Sequence, residues 1–144
     1  MSHVAVPVNL IAEISNPVET PPWPGVEPEI TPDDVMRAFT DKTFLDHHKT
    51  PLPETMHDDG TEHIRRIAWL MHNPIMDPIH IDTTAMAHGC WPVIDGNHRL
   101  YAALMMKHAV ITVFFSGFES DIERIFGRDT AAAVFRDQNE PERA

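Results

Sequence analysis

The sequence predicts an α+β fold, a small mixed β-sheet with helices packed around it. Three observations carry this expectation. Residues 109–115 are almost wholly apolar and rich in β-branched side chains, as an interior strand is. Ile64, Ile67, Ala68 and Met71 recur at helical spacing and form the stripe of a buried helix. Between these two segments lies Trp91–Lys107, which reads as a short apolar strand (Trp91 to Ile94), a tight turn at Asp95-Gly96, and a helix from about Asn97.

The remaining elements follow in chain order. Residues 4–14 alternate loosely and predict a strand, and Pro7 assigns it to a sheet edge because proline has no N–H for a ladder. Asn16 to Pro32 holds six prolines and no apolar period, which predicts an extended segment draped on the surface. Thr31-Pro32-Asp33-Asp34 starts a helix with a cap, a proline at the first position and two carboxylates on the positive dipole end. Val35, Ala38 and Phe39 give that helix an apolar side, and it should end near Lys42. Thr43 to Gly60 reads as loop. Thr61 is the expected cap of the helix that carries the Ile64 stripe, and Asn73-Pro74 stops it. Ile79–Asp82 predicts a strand, and Thr83 to Gly89 a loop leading into the central strand at Trp91. Ser120–Phe126 and Asp129–Phe135 predict two short closing helices, followed by a polar tail at about 137–144.

At 144 residues the chain is expected to form one domain, residues 1–144, with its own core. The 42% hydrophobic and 23% charged residues match a globular chain, and no apolar run is long enough for a membrane helix. No basic segment precedes an apolar one at the start, so a cytoplasmic location is the default. Cys90 is the only cysteine, which excludes an internal disulfide and paired-thiol redox chemistry. Eleven Lys and Arg stand against 22 Asp and Glu, a formal net charge of −11. Such a surface repels a polyanion, and only Arg65, Arg66, Arg99 and Lys107 could supply a basic patch. Stable duplex DNA binding is therefore not expected.

The chemistry concentrates in the turn Asp95–Arg99. Gly96 can adopt a positive φ and let a ligand approach the backbone. Asp95 or Asn97 can cap the helix, and Leu100, Ala103 and Leu104 share one face of it. The first turn then combines the backbone amides of a helix start, the positive end of the dipole, His98 and Arg99, which together suit an anion, phosphate above all. Arg99 can grip a phosphate with two parallel hydrogen bonds. His98 can donate a hydrogen bond or carry a proton near neutral pH. Asp95 can hold Mg²⁺ on the phosphates or orient His98, or serve only as a helix cap.

Asp95-Gly96-Asn97-His98-Arg99-Leu100, followed by Ala102-Ala103, resembles the signature turn of the ParB/sulfiredoxin superfamily. Val4–Ile11, Ile64–Met71, Pro78–Asp82 and Ala109–Phe115 resemble the strand that opens the domain, the helix before the site and the two strands around it. The resemblance covers about half of the chain. It implies a ParB/sulfiredoxin-like sheet and helices, with Asn16–Gly60 (residues 16–60) as a proline-rich insertion able to cover the site. It also implies a nucleotide such as ATP or CTP as ligand or substrate, Mg²⁺ as cofactor, and hydrolysis or transfer of a phosphoryl group, by a nucleotide hydrolase, a nuclease-like enzyme or a small-molecule kinase. His98 and Asp95 would be catalytic, Gly96, Asn97, His98 and Arg99 would bind phosphate, and Asp95 would hold the metal. Sulfiredoxin activity is not implied, because the nucleophilic cysteine of that family sits where this chain has Asn97, and Cys90 lies seven residues earlier. A full-length partition protein is not implied either, since Gly96-Asn97-His98-Arg99 replaces the glycine-glutamate-arginine-arginine of its CTP turn. Glu123-Arg124 also lacks the asparagine of its downstream box.

Other residues carry weaker candidates. Glu13 and Glu19 could act as a base or metal ligand, although exposed loop carboxylates are the commoner case. His47, His48, His57, Asp58, Asp59 and His63 could gather around a divalent metal. Cys90 is expected to be a buried or half-buried inert thiol. Trp69, Trp91 and Phe114 are expected in the core, and Trp23 is expected to pin the proline-rich segment to the domain. The alternative to an enzyme is a non-catalytic acidic module that regulates or binds a protein partner, acting as a nucleic-acid charge mimic.

Overall fold

The computed structural model describes residues 3–45, 59–74 and 77–139. Their order is β1 (His3–Pro7), α1 (Val8–Ala12), α2 (Pro32–Asp41), α3 (Gly60–His72), β2 (Ile79–Asp82), α4 (Thr83–Ala87), β3 (Val93–Asp95), α5 (Asn97–Met105), β4 (Val110–Ser116), α6 (Glu119–Phe126) and α7 (Arg128–Asn139). The described residues are α+β, with one four-stranded mixed sheet among them. The chain divides into two compact units, one of Met1–Ser15, Met76–Gly96 and Ala109–Ala144, the other of Asn16–Ile75 and Asn97–His108.

The first unit holds the sheet, in the order β1-β4-β2-β3. β1 runs antiparallel to β4, β4 parallel to β2, and β2 antiparallel to β3. Alternation is strict in β2, where Ile79 and Ile81 are buried while His80 and Asp82 are half-buried. Val113 and Phe115 of β4 likewise point inward, and Phe115 meets Phe126 of α6 edge to face at 4.9 Å. β4 is interior and β1 lies at the edge, as the apolar run and Pro7 led one to expect.

Several local expectations are corrected here. Residues 4–14 are not one strand, because β1 stops at Pro7 and α1 follows. Val8 and Ile11, three apart, share a helical face and are buried. Thr83–Gly89 is not a plain loop, since Asp82 accepts from Thr84 N at 2.9 Å and starts α4. β3 is a three-residue edge strand rather than a central one. α7 continues to Asn139, so the expected polar tail begins as helix.

The second unit is helical. α3 packs against both α2 and α5. α2 follows its sequence signals closely: Thr31 accepts from Asp34 N at 3.2 Å, Pro32 opens the helix, and Lys42 ends it with φ 57°. The cap of α3 is Asp59, which accepts from Thr61 N at 2.9 Å, not Thr61 itself. Ile30, Val35, Ile67, Leu70 and Tyr101 lie in one buried cluster. The proline-rich segment is not merely draped on the surface, because Val18, Trp23 and Val26 pack against that cluster. Gly60 N donates to Glu27 O at 3.1 Å and ties the segment to the start of α3. Among the described residues no helix is long and apolar enough to cross a membrane.

Candidate functional site

α5 begins where the turn was expected to offer its amides. Asn97, His98 and Arg99 form its first turn, and all three are half-buried. That turn carries no acidic residue, whereas α2 starts with Asp33 and Asp34, α3 with Glu62, and α6 with Glu119 and Asp121. The positive end of the α5 dipole is therefore not neutralised by carboxylates of its own first turn.

His98 has a partner that the sequence reading missed. Its Nε2 stands 2.7 Å from Nδ1 of His63, a residue of α3 that is only 3% exposed. At that distance one nitrogen donates and the other accepts, so the two rings share a single proton between these atoms. The indole of Trp23 stacks on His98 with centroids 4.7 Å apart and planes 15° from parallel. It also lies 5.0 Å from the His63 ring. Trp23 thus pins the proline-rich segment, as expected, and the residue it is pinned to is the histidine of the turn. The signal for His63 was present but unused, because His63 stands four residues before Ile67 on the buried stripe of α3.

One turn beyond His98, Tyr101 is 0% exposed, and its ring centroid lies 6.5 Å from that of Trp23. Its hydroxyl has no hydrogen-bond partner among the described residues. Burial, and next the negative charge of Asp34, push the phenol up to about 12. Arg66 is 8% exposed, and burial lowers its pKa against the opposing pull of Glu62. It is not a surface cation for a phosphate backbone. Arg65 is exposed and pairs with Glu62 at 3.4 Å. Two of the four candidate cations are thus occupied or withdrawn.

The turn residues do not all fall in one unit. Asp95 ends β3 and is exposed, Gly96 has the expected positive φ of 96°, and both belong to the sheet unit. Asn97, His98 and Arg99 belong to the helical unit.

The other candidates disperse. Glu13 caps the C-terminal end of α1 through its backbone, and Glu19 lies exposed in a turn held by Asn16 Oδ1. His47, His48, His57 and Asp58 lie outside the described residues, Asp59 caps α3, and His63 bonds His98. Among the described residues no group of three or more His, Cys, Asp or Glu could hold a metal ion. Cys90 is exposed rather than buried, with Sγ 3.7 Å from the carbonyl of His88. Trp69 packs half-buried on the helical core, while Trp91 and Phe114 are half-buried. No family model, curated protein or solved structure matches the chain.

Proposed function

We propose that the chain binds a small phosphorylated ligand, a nucleotide foremost, at the start of α5, and that it hydrolyses or transfers a phosphoryl group there. The observation that carries this reading is the first turn of α5: Asn97, His98 and Arg99 with no carboxylate among them, and His98 held by His63 at 2.7 Å. The resemblance of Asp95–Leu100 to the ParB/sulfiredoxin turn supports it, and kinship with that superfamily is part of the proposal.

In this reading the amides of the first turn and the Arg99 guanidinium stabilise the charge on the phosphoryl oxygens. The His63 bond occupies His98 Nε2, so His98 meets the phosphate through Nδ1, or through Nε2 once the pair opens. His63 then serves to set the tautomer of His98 and to share its proton. Mg²⁺, if bound, would neutralise phosphate charge. It commonly takes one or two carboxylates with phosphate oxygens. No step here is routed through the ion.

The test is calorimetry of ATP, ADP, CTP and GTP with Mg²⁺, on the wild type and on Arg99→Ala. Saturable binding lost in the folded variant supports the site. No binding by any of the four sinks the nucleotide reading. The second reading, an acidic module for a basic protein partner, is favoured by the net charge of −11 and by the burial of Arg66. It predicts a partner interaction that weakens with salt and tolerates Arg99→Ala.

A further inference from the structure

A second constellation lies on the sheet, and it uses none of Asn97, His98 or Arg99. His80 of β2 pairs directly with Phe114 of β4 on one side and with Asp95 of β3 on the other. In the regular β2–β4 ladder Phe114 projects to the same face as His80, and so does Ser116, two residues beyond it, while the β2–β3 register shifts between His80 and Ile81. His80 Nε2 stands 2.9 Å from Ser116 Oγ. Phe114 meets the His80 ring edge-on, centroids 4.8 Å apart and planes at 76°, which restricts how the imidazole can turn. A serine and a histidine thus meet on one face of adjacent strands, and an aspartate is the β3 residue paired with that histidine, in the strand order nucleophile, base, carboxylate.

The backbone around Ser116 is equally specified. β2 and β4 are parallel, and Ser116 ends β4 opposite Asp82, the last residue of β2. Reactive groups favour the carboxyl ends of parallel strands, where the chain leaves the sheet. Thr83 Oγ1 donates to the carbonyl of Ser116 at 3.3 Å. The chain then turns at Gly117 with φ 121°, where any Cβ would collide with Thr83 Oγ1. α6 starts two residues later, so the serine sits on a strand–turn–helix corner with a glycine behind it. Phe118, 69% exposed, provides an apolar surface beside that corner.

We infer that Ser116, His80 and Asp95 form an acyl-transfer site that accepts an activated ester with a small apolar acyl group. Ser116 Oγ attacks the carbonyl carbon, a new C–O bond forms, and the carbonyl π pair moves onto oxygen. His80 Nε2 takes the hydroxyl proton. The tetrahedral species collapses, the bond to the leaving alkoxide breaks, and that oxygen receives the proton from His80. Water repeats the sequence on the acyl-serine and releases the acid, restoring Ser116. Asp95 is a positioning residue: its carboxylate favours the His80 tautomer with the proton on Nδ1, leaving Nε2 to accept from Ser116. The two histidine clusters make different demands, since His98 is bonded to another histidine and His80 to a hydroxyl.

The experiment treats the full chain with diisopropyl fluorophosphate and maps the adduct by peptide mass spectrometry. p-Nitrophenyl acetate hydrolysis is followed in parallel. The expected result is one adduct on Ser116, absent in Ser116→Ala. In His80→Gln, which keeps a hydrogen-bonding group but removes the base, labelling should slow at least about 100-fold. Asp95→Asn should slow it about 10-fold or more, and Asp95→Glu should recover most of the rate, which loss of a merely structural contact would not arrange. A wild-type chain that stays unlabelled at Ser116 overturns the inference without reference to any variant. So does an adduct forming equally fast in folded His80→Gln.

Discussion

The indole of Trp23 lies over the imidazole of His98, with ring centroids 4.7 Å apart and planes 15° from parallel. One partner comes from a segment with six prolines, the other from the first turn of α5. Proline-rich backbone forms few ladders of its own, so such a segment is ordered mainly by what its side chains touch. Stacked aromatic pairs contribute about 0.5–1.5 kcal/mol beyond area burial. A double-mutant cycle of Trp23→Ala and His98→Ala, read by urea unfolding, should therefore show a coupling of about 1 kcal/mol. Costs that add to within about 0.3 kcal/mol would mean that the two rings act independently.

Tyr101 makes an unusually clean probe, because it is the only tyrosine in the chain. Its tyrosinate absorbance should titrate with a midpoint of about 12, above the ordinary value of 10.0. Below the ordinary value, folded and unfolded chains both keep the phenol proton, and the stabilisation is fully present. Between the two values the unfolded chain loses the proton first, so stability falls as pH rises and is lost through the folded pKa. The total is about 3 kcal/mol, about two pKa units at about 1.36 kcal/mol each. Tyr101→Phe removes a buried hydroxyl that has no partner among the described residues. It should leave stability at neutral pH unchanged or raise it by about 1 kcal/mol, and the alkaline loss assigned to Tyr101 should vanish. A tyrosinate midpoint at the ordinary value in the folded chain would contradict the burial.

Gly60 is buried at the first position of α3, and a Cβ there would run into the carbonyl oxygen of Pro28. A backbone oxygen cannot swing aside as a flexible side chain can. The same residue donates its N–H to Glu27 O. Gly60→Ala should push the proline-rich segment away from α3 and cost about 2 kcal/mol in thermal or urea unfolding, despite the better helix propensity of alanine. A variant as stable as the wild type would show that this close approach is not maintained.

What could be read from the sequence was local and periodic. Thr31-Pro32-Asp33-Asp34 and Lys42 delimited α2 because capping chemistry acts within four residues. The apolar, β-branched run at 109–115 located the interior strand through its strand propensity, although only Val113 and Phe115 of β4 are fully buried. The first turn of α5 was legible for the same local reason. Short elements were not: α1 and β3 have five and three residues, too few for either period to declare itself. The long-range pairs were also hidden. His63 and His98 are 35 residues apart, His80 and Ser116 are 36 apart, and no single-chain pattern links them. Cys90 was misplaced for a related reason, since its exposure depends on a turn after α4 that the sequence did not announce.

Asp34 connects the legible part of the fold to the hidden part. Its backbone N–H is bonded by Thr31 Oγ1, its Oδ2 accepts from the same hydroxyl at 2.9 Å, and its charge acts on Tyr101. Burial is the larger cause of the Tyr101 shift and Asp34 the smaller. Asp34→Asn keeps the shape of the cap and an acceptor oxygen while removing the charge. The tyrosinate midpoint should therefore fall from about 12 yet stay above the ordinary value, because desolvation of the phenolate remains. The helix itself should lose less than about 1 kcal/mol, since the Thr31 cap persists and what is removed is a first-turn charge with its exposed pair to Arg37 at 3.4 Å. Absorbance titration of the variant beside the wild type decides the point. A midpoint that drops all the way to the ordinary value would make Asp34, and not the apolar surroundings of Tyr101, the source of the shift.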